Sequence, residues 1–183
     1  MATTKYLALL RGINVGGKNV IAKDDLRRCF EDLGCETVST YIQSGNILFR
    51  SSTSSVRQLT DDVQAALSER FAYDAQAVVL PYRKYQAAVA AAPDGWGDDP
   101  AQKHNALFTM RGTTPQKVVA ALADPKPGIE TITLAPGVIF WSVVKAAQTK
   151  ATYARITGTK PYQQVTIRNS NTTRKLLELL DAM

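Results

Sequence analysis

The residues whose types and spacing can do chemistry gather early in the chain, in Arg11-Gly12-Ile13-Asn14-Val15-Gly16-Gly17-Lys18-Asn19. Three glycines in nine residues permit positive φ and let successive N–H groups turn toward one point, and Arg11 and Lys18 bring fixed positive charge to either end. The chemistry this suggests is the holding of an anion. A second polar group, Gln43-Ser44-Gly45-Asn46, has the composition of a hairpin turn with glycine in the left-handed position. A third runs from Thr166 to Lys175 between the last strand and the last helix. There Asn171 or Thr172 can cap the helix, whose free N–H groups and dipole favour an anion, with Arg168 close by. The candidate ligand-binding residues are therefore Arg11, Gly12, Asn14, Gly16, Gly17, Lys18, Asn19, Ser44, Gly45, Asn46, Arg168, Asn169 and Asn171.

Plainer roles exist for many of them. Hairpins need Ser-Gly-Asn chemistry in any case, asparagines bond their own loops, and capping alone explains Asn171 and Thr172. The first loop is different, because a pure connector usually takes only about 2–6 residues. Gly12 to Lys18 has the G-x-x-x-x-G-K spacing of a nucleotide-binding phosphate loop, but Asn19 stands where Ser or Thr should hold magnesium, and helical periodicity begins only several residues later. The anion cradle remains without triphosphatase chemistry. The single His104 has no flanking ligand and reads as structural, so no metal site is expected. Cys29 and Cys35 lack metal-site spacing and read as reduced thiols in or near the core. Trp96 and Tyr41 can stack a base, although packing at the edge of a core suits single aromatics better. No residue pattern specifies a reaction or a cofactor.

The elements that must position these residues follow from periodicity. Lys5–Leu10 is an apolar strand, and Leu26, Cys29, Phe30 and Leu33 recur at helical spacing up to a Gly34 cap. Thr37–Ile42 and Ile47–Arg50 make a hairpin; Val56, Leu59, Val63, Leu67 and Phe71 mark a second helix; Ala77–Leu80 is a fourth strand. After a connecting helix (83–92) and a Pro/Gly/Asp-rich loop (93–100), the order recurs. His104–Met110 is a strand, Pro115–Ala123 a helix, and Ile129–Leu134 with Val138–Val144 a hairpin. Ala147–Ile156 is a poorer helix, and Gln164–Ile167 a last strand. The fold class is α+β: two ferredoxin-like βαββαβ repeats with antiparallel sheets, plus a C-terminal helix. The expected division is 1–81 for the first half, 82–102 for the connecting helix and loop, and 103–183 for the second half with the C-terminal helix. In such a unit the first and second strands run the same way. The glycine loop, the 43–46 turn and the loop near Tyr73–Gln76 should thus emerge at one rim of the first sheet.

A net charge of +6 leans toward anionic partners, yet no block of five or six like charges occurs, so nucleic acid is the weaker expectation. The RNA-recognition aromatic signature is also missing from the first and third strands. No apolar run approaches the ~20 residues that cross a bilayer, and the first residues lack a signal sequence, so no membrane partner and a cytoplasmic location are expected.

Leu9–Asn19 (LLRGINVGGKN), Thr40–Phe49 (TYIQSGNILF) and Thr166–Leu179 (TIRNSNTTRKLLEL) give the chain a close resemblance, over nearly its whole length, to the bacterial family of unknown function DUF1697. The resemblance implies an α+β protein with duplicated ferredoxin-like halves and no known activity, substrate or cofactor. It departs at Ser170, where the family pattern has Trp after the Arg-Asn pair. The leading functional expectation is a small binding protein for a phosphate-bearing or other anionic ligand. The alternatives are an enzyme of unspecified reaction using the same pocket, or a nucleic-acid-binding protein.

Overall fold

In the computed structural model, which describes residues 3–14, 19–43 and 45–183, the chain forms two four-stranded antiparallel sheets with interleaved helices. The first contains β1 (Thr4–Arg11), α1 (Lys23–Asp32), β2 (Glu36–Tyr41), β3 (Asn46–Ser51), α2 (Val56–Phe71) and β4 (Gln76–Pro81), in the strand order β2-β3-β1-β4. After α3 (Tyr82–Ala90), the second contains β5 (Gln102–Thr109), α4 (Pro115–Ala120), β6 (Glu130–Ala135), β7 (Val138–Val144), α5 (Lys160–Gln163) and β8 (Val165–Asn169), in the equivalent order β6-β7-β5-β8. A last helix, α6 (Ser170–Asp181), closes the chain. Each sheet has the ferredoxin-like arrangement of a duplicated βαββαβ unit. Among the described residues no helix is long and apolar enough to cross a membrane.

Alternation decides which face of each sheet takes helices. In β1, Tyr6, Ala8 and Leu10 join Ile47 and Phe49 of β3, Leu26 and Phe30 of α1, and Leu59, Val63 and Leu67 of α2 in one buried cluster. Tyr6 stacks on Phe49 at 5.7 Å, and Phe30 meets Phe49 at 5.1 Å and 60°. Each such ring contributes about 1.5–3 kcal/mol by burial. Ser55 caps α2 by accepting from the Gln58 N–H at 3.2 Å. The edge strand β2 shifts register between Glu36 and Ser39, where Thr37 takes φ 52°, a bulge of the kind that blunts sheet edges.

The second sheet packs Leu107, Ile139, Trp141, Val143 and Val165 against Val118 of α4 and against Ala151, Tyr153 and Ile156 of the β7–β8 crossover. The expected helix over 147–156 is not formed. The segment is two 3-10 turns, Lys145–Lys150 and Tyr153–Arg155, followed by the four-residue α5. Thr149 and Thr152 weaken helix formation, and a buried carboxylate holds the segment in place. Glu130 accepts from Thr152 N (2.6 Å), Tyr153 N (3.2 Å), Lys126 N (3.1 Å) and Trp141 Nε1 (3.0 Å). Burial alone would raise the Glu130 pKa, but these donors outweigh it and hold the carboxyl below its usual value.

The division into compact units differs from the expected one. The first comprises 1–86 with 176–183, and the second 87–175. The end of α6 joins the first unit because β1 and its neighbours bind it: Lys5 Nζ donates to Leu180 O at 2.7 Å and Tyr82 Oη to Asp181 at 2.7 Å, while Arg50 donates to Met183 O. The C-terminal helix therefore does not belong wholly to the second half.

Candidate functional site

The first two candidate segments meet at one rim of the first unit. Leu10 N donates to Gly45 O at 2.8 Å, Asn14 Nδ2 donates to Gln43 O at 2.7 Å, and Arg11 pairs with Gln76 in the sheet register. Gly45 must be glycine. It has φ 72°, and a Cβ there would lie 2.7 Å from Leu10 Cβ and 3.0 Å from Ile13.

The polar side chains of this rim build the loops. Asn14, at φ 52°, donates to Ile21 O (3.1 Å) as well as to Gln43 O, and accepts from Ile21 N (2.9 Å). Asn19, at φ 47°, donates to Gly12 O (2.9 Å), and its own carbonyl accepts from Asn14 N (3.1 Å). Asn46 is buried and donates to Tyr41 O (3.0 Å). The described asparagines thus perform the backbone role that turn chemistry offers them. Gly16, Gly17, Lys18 and Ser44 lie outside the described residues. α1 begins only at Lys23, several residues past the position a phosphate-loop helix would occupy.

The third candidate segment belongs to the second unit, and there the structure forms a cleft of about 600 Å³. Its walls are the 97–100 loop, the start of β5 (Lys103, His104 and Asn105), Lys145, and the first turn of α6 with Asn169, Ser170 and Asn171. β8 runs directly into α6, so the N-cap is Asn169, whose Oδ1 accepts from Thr172 N at 2.7 Å, and neither Asn171 nor Thr172. Asn171 is left exposed at the mouth of the cleft. Arg168 is buried, is not among the residues that line the cleft, and donates to Thr166 Oγ1 (2.9 Å) and Ile167 O (2.8 Å).

The cleft depends on a close approach. Gly97, at φ 91°, sits where a Cβ would lie 2.9 Å from Ser170 Cβ and 3.2 Å from the Arg174 guanidinium carbon. The small side chain of Ser170 is buried in that contact.

The carboxylates of the cleft are engaged by protein groups. Asp98 pairs with Arg174 at 2.9 Å, and Arg174 also donates to Trp96 O. Asp99 accepts from Ala101 N (2.8 Å) and Gln102 Nε2 (2.9 Å), bonds that hold its carboxyl below the usual aspartate range, with His104 and Lys145 adding attraction. Lys145 Nζ donates to Pro100 O at 2.5 Å. Lys103 is exposed, and it meets no carboxylate among the described residues.

His104 is engaged on both sides: Nδ1 lies 2.7 Å from Ser142 Oγ and Nε2 3.3 Å from Asp99 O. Of the two neutral tautomers only Nε2–H satisfies both, since a backbone carbonyl accepts only, and Ser142 then donates to Nδ1. The imidazole is a strut of the cleft floor. Trp96, edge-on to Phe140 at 5.0 Å and to His104 at 6.3 Å, is core packing rather than a stacking platform. Both cysteines are free and buried, and burial pushes Cys35 up to about 11, which suppresses thiolate chemistry. No group of three or more His, Cys, Asp or Glu suited to a metal lies together among the described residues.

Sequence reasoning missed the cleft because Gly97 and Lys103 carry no motif. Their role arises only when the loop meets α6.

The family model for a protein of unknown function, DUF1697, matches residues 3–140. The chain is similar to a solved structure, that of the conserved bacterial protein SP0830 from Streptococcus pneumoniae. The two share 30% identity and a TM-score of 0.87, over 98% of this chain and 99% of that one. No curated protein shows significant similarity to the sequence.

Proposed function

We propose a function on one premise: the chain belongs to the DUF1697 family, a family of proteins of unknown function. The protein is a small cytoplasmic binding protein for an anionic ligand bearing phosphate or carboxylate, held in the cleft of the second unit. The observation that carries this reading is the cleft itself, about 600 Å³, within the size of small-molecule sites. Asp98 is paired with Arg174 and the Asp99 carboxylate is taken up by the Ala101 and Gln102 N–H groups, so the positive charge left for a ligand comes from Lys103 and Lys145, with Asn105, Asn171 and the first N–H groups of α6 as donors. His104 has both ring nitrogens bonded, which favours binding over proton transfer in this cleft. A cytoplasmic setting suits two free cysteines.

A thermal-shift screen of phosphate- and carboxylate-bearing metabolites tests it. A ligand at 100 times its Kd stabilises by about 2.7 kcal/mol, or several degrees in Tm. The shift should be lost in Lys103→Ala, and a shift that survives that change counts against the cleft.

A second reading is favoured by the meeting of two loops at the first unit's rim. There Arg11, Gly12, Gly16, Gly17, Lys18, Asn19, Ser44 and Gly45 would cradle the anion through backbone N–H groups and cationic side chains. It requires a ligand shift abolished by Lys18→Ala and indifferent to Lys103→Ala.

A further inference from the structure

The net charge of +6 is not shared between the two units. The second holds eleven Lys and Arg against five Asp and Glu, whereas the first holds eleven of each. From residue 131 to residue 177 the chain has seven cations and no carboxylate. The two acids between 115 and 167 are Asp124 and Glu130, and Glu130 is buried under four hydrogen bonds.

Topology gathers the excess. α4 and the 145–163 crossover lie over the same face of the second sheet, because Val118, Ala151, Tyr153 and Ile156 enter one core cluster with Leu107 and Trp141. Of the exposed charges of those segments, Lys145 lines the cleft, and Lys117, Lys150, Arg155 and Lys160 occupy the outer side of the layer. None of the four is in an ion pair among the described residues. The equivalent layer of the first unit is self-neutralised: Arg27 bonds Glu31 at 2.7 Å, Arg70 bonds Asp32 at 2.5 Å, and acids outnumber bases along α1 and α2.

We infer that the outer layer of the second unit is a docking surface for the phosphate backbone of nucleic acid. Lysines dominate it, the exposed hydroxyls of Thr149 and Thr157 intersperse them, and no large apolar side chain of these segments is exposed. That composition matches phosphate contacts, which position without reading sequence. It is a poor match for a protein partner, whose interface core is depleted in lysine and built on aromatic anchors.

The test is fluorescence-anisotropy titration of the full chain with a labelled 20-base-pair DNA duplex of arbitrary sequence. With about four phosphate contacts, affinity should fall about 100-fold between 50 and 200 mM salt. In the triple variant Lys150→Gln, Arg155→Gln, Lys160→Gln, the log–log salt slope should flatten by roughly 2.7. The exposed first-unit pair Arg28→Gln, Arg57→Gln should leave the slope unchanged, and so should Lys103→Ala, which separates this surface from the cleft. Circular dichroism melting checks that the variants fold. Absence of binding at 50 mM salt overturns the inference, as does an equal loss in the first-unit variant. Displacement by polyglutamate or anionic vesicles as effectively as by unlabelled duplex would overturn the assignment to nucleic acid.

Discussion

The two units share strand order and even the device that pins each hairpin to its first strand, yet they treat the same rim differently. In the first, Gly45 O accepts from Leu10 N at 2.8 Å; in the second, Gly137 O accepts from Thr109 N at 3.0 Å. The first unit then uses residues 12–22 to reach α1, and folds that loop back onto its hairpin through Asn14 and Ile13. The second reaches α4 within a few residues of β5, and its Gly137 faces open space. A repeated topology thus leaves the connections free to diverge. One copy elaborates the rim, and the other elaborates the crossover between its third and fourth strands, held by Glu130, and the cleft beside α6.

The largest expected effect lies in that crossover. Glu130→Ala should leave several buried N–H groups unpaired and cost about 3–5 kcal/mol, read by chemical denaturation, with no counterpart in the first unit. Because the Glu130 pKa is depressed in the folded protein, its stabilisation is present above the unfolded value, near 4.5. It is lost as pH falls through the folded value. Denaturation curves between pH 6 and 3 should therefore show less acid sensitivity in Glu130→Gln than in wild type.

Next in size is the glycine comparison. Gly45→Ala combines positive φ with a clash on Leu10 and should cost about 2–4 kcal/mol, whereas Gly137→Ala, strained but unobstructed, should cost only ~1–2 kcal/mol. Equal costs would mean the rims do not differ as described. Asn14→Ala removes three hydrogen bonds and should cost about 1–3 kcal/mol, with faster hydrogen exchange at the Ile21 amide as the local signature. The smallest contrast is in capping: Asn169→Ala should cost ~1 kcal/mol and Asn171→Ala less than ~0.5 kcal/mol.

Much of this was legible in the sequence, since strand alternation and helix spacing yield the βαββαβ order twice, and the meeting of the 12–19 and 43–46 loops follows from strand direction. What escaped has physical causes. The 147–156 segment reads as a weak helix because its alanines permit one locally, while the Glu130 hydrogen bonds that decide otherwise come from another strand. An amphipathic C-terminal helix shows which side it buries but not which unit receives its end, a choice made by Lys5 and Tyr82. Asn14, Asn19 and Asn46 are indistinguishable from ligand donors in the sequence, because asparagine in a loop carries the same signature whether it faces a ligand or its own backbone. The cleft rests on Gly97 meeting Ser170, a contact between segments far apart in the chain.

The most direct test is a map of amide chemical shifts while the isotopically labelled protein is titrated with inorganic phosphate. Perturbations should centre on Lys103, Asn105, Asn171 and the first turn of α6, and vanish in Lys103→Ala. Perturbations confined to Arg11–Asn19 and Gln43–Asn46, or none at saturating phosphate, would contradict an anion site in the second unit.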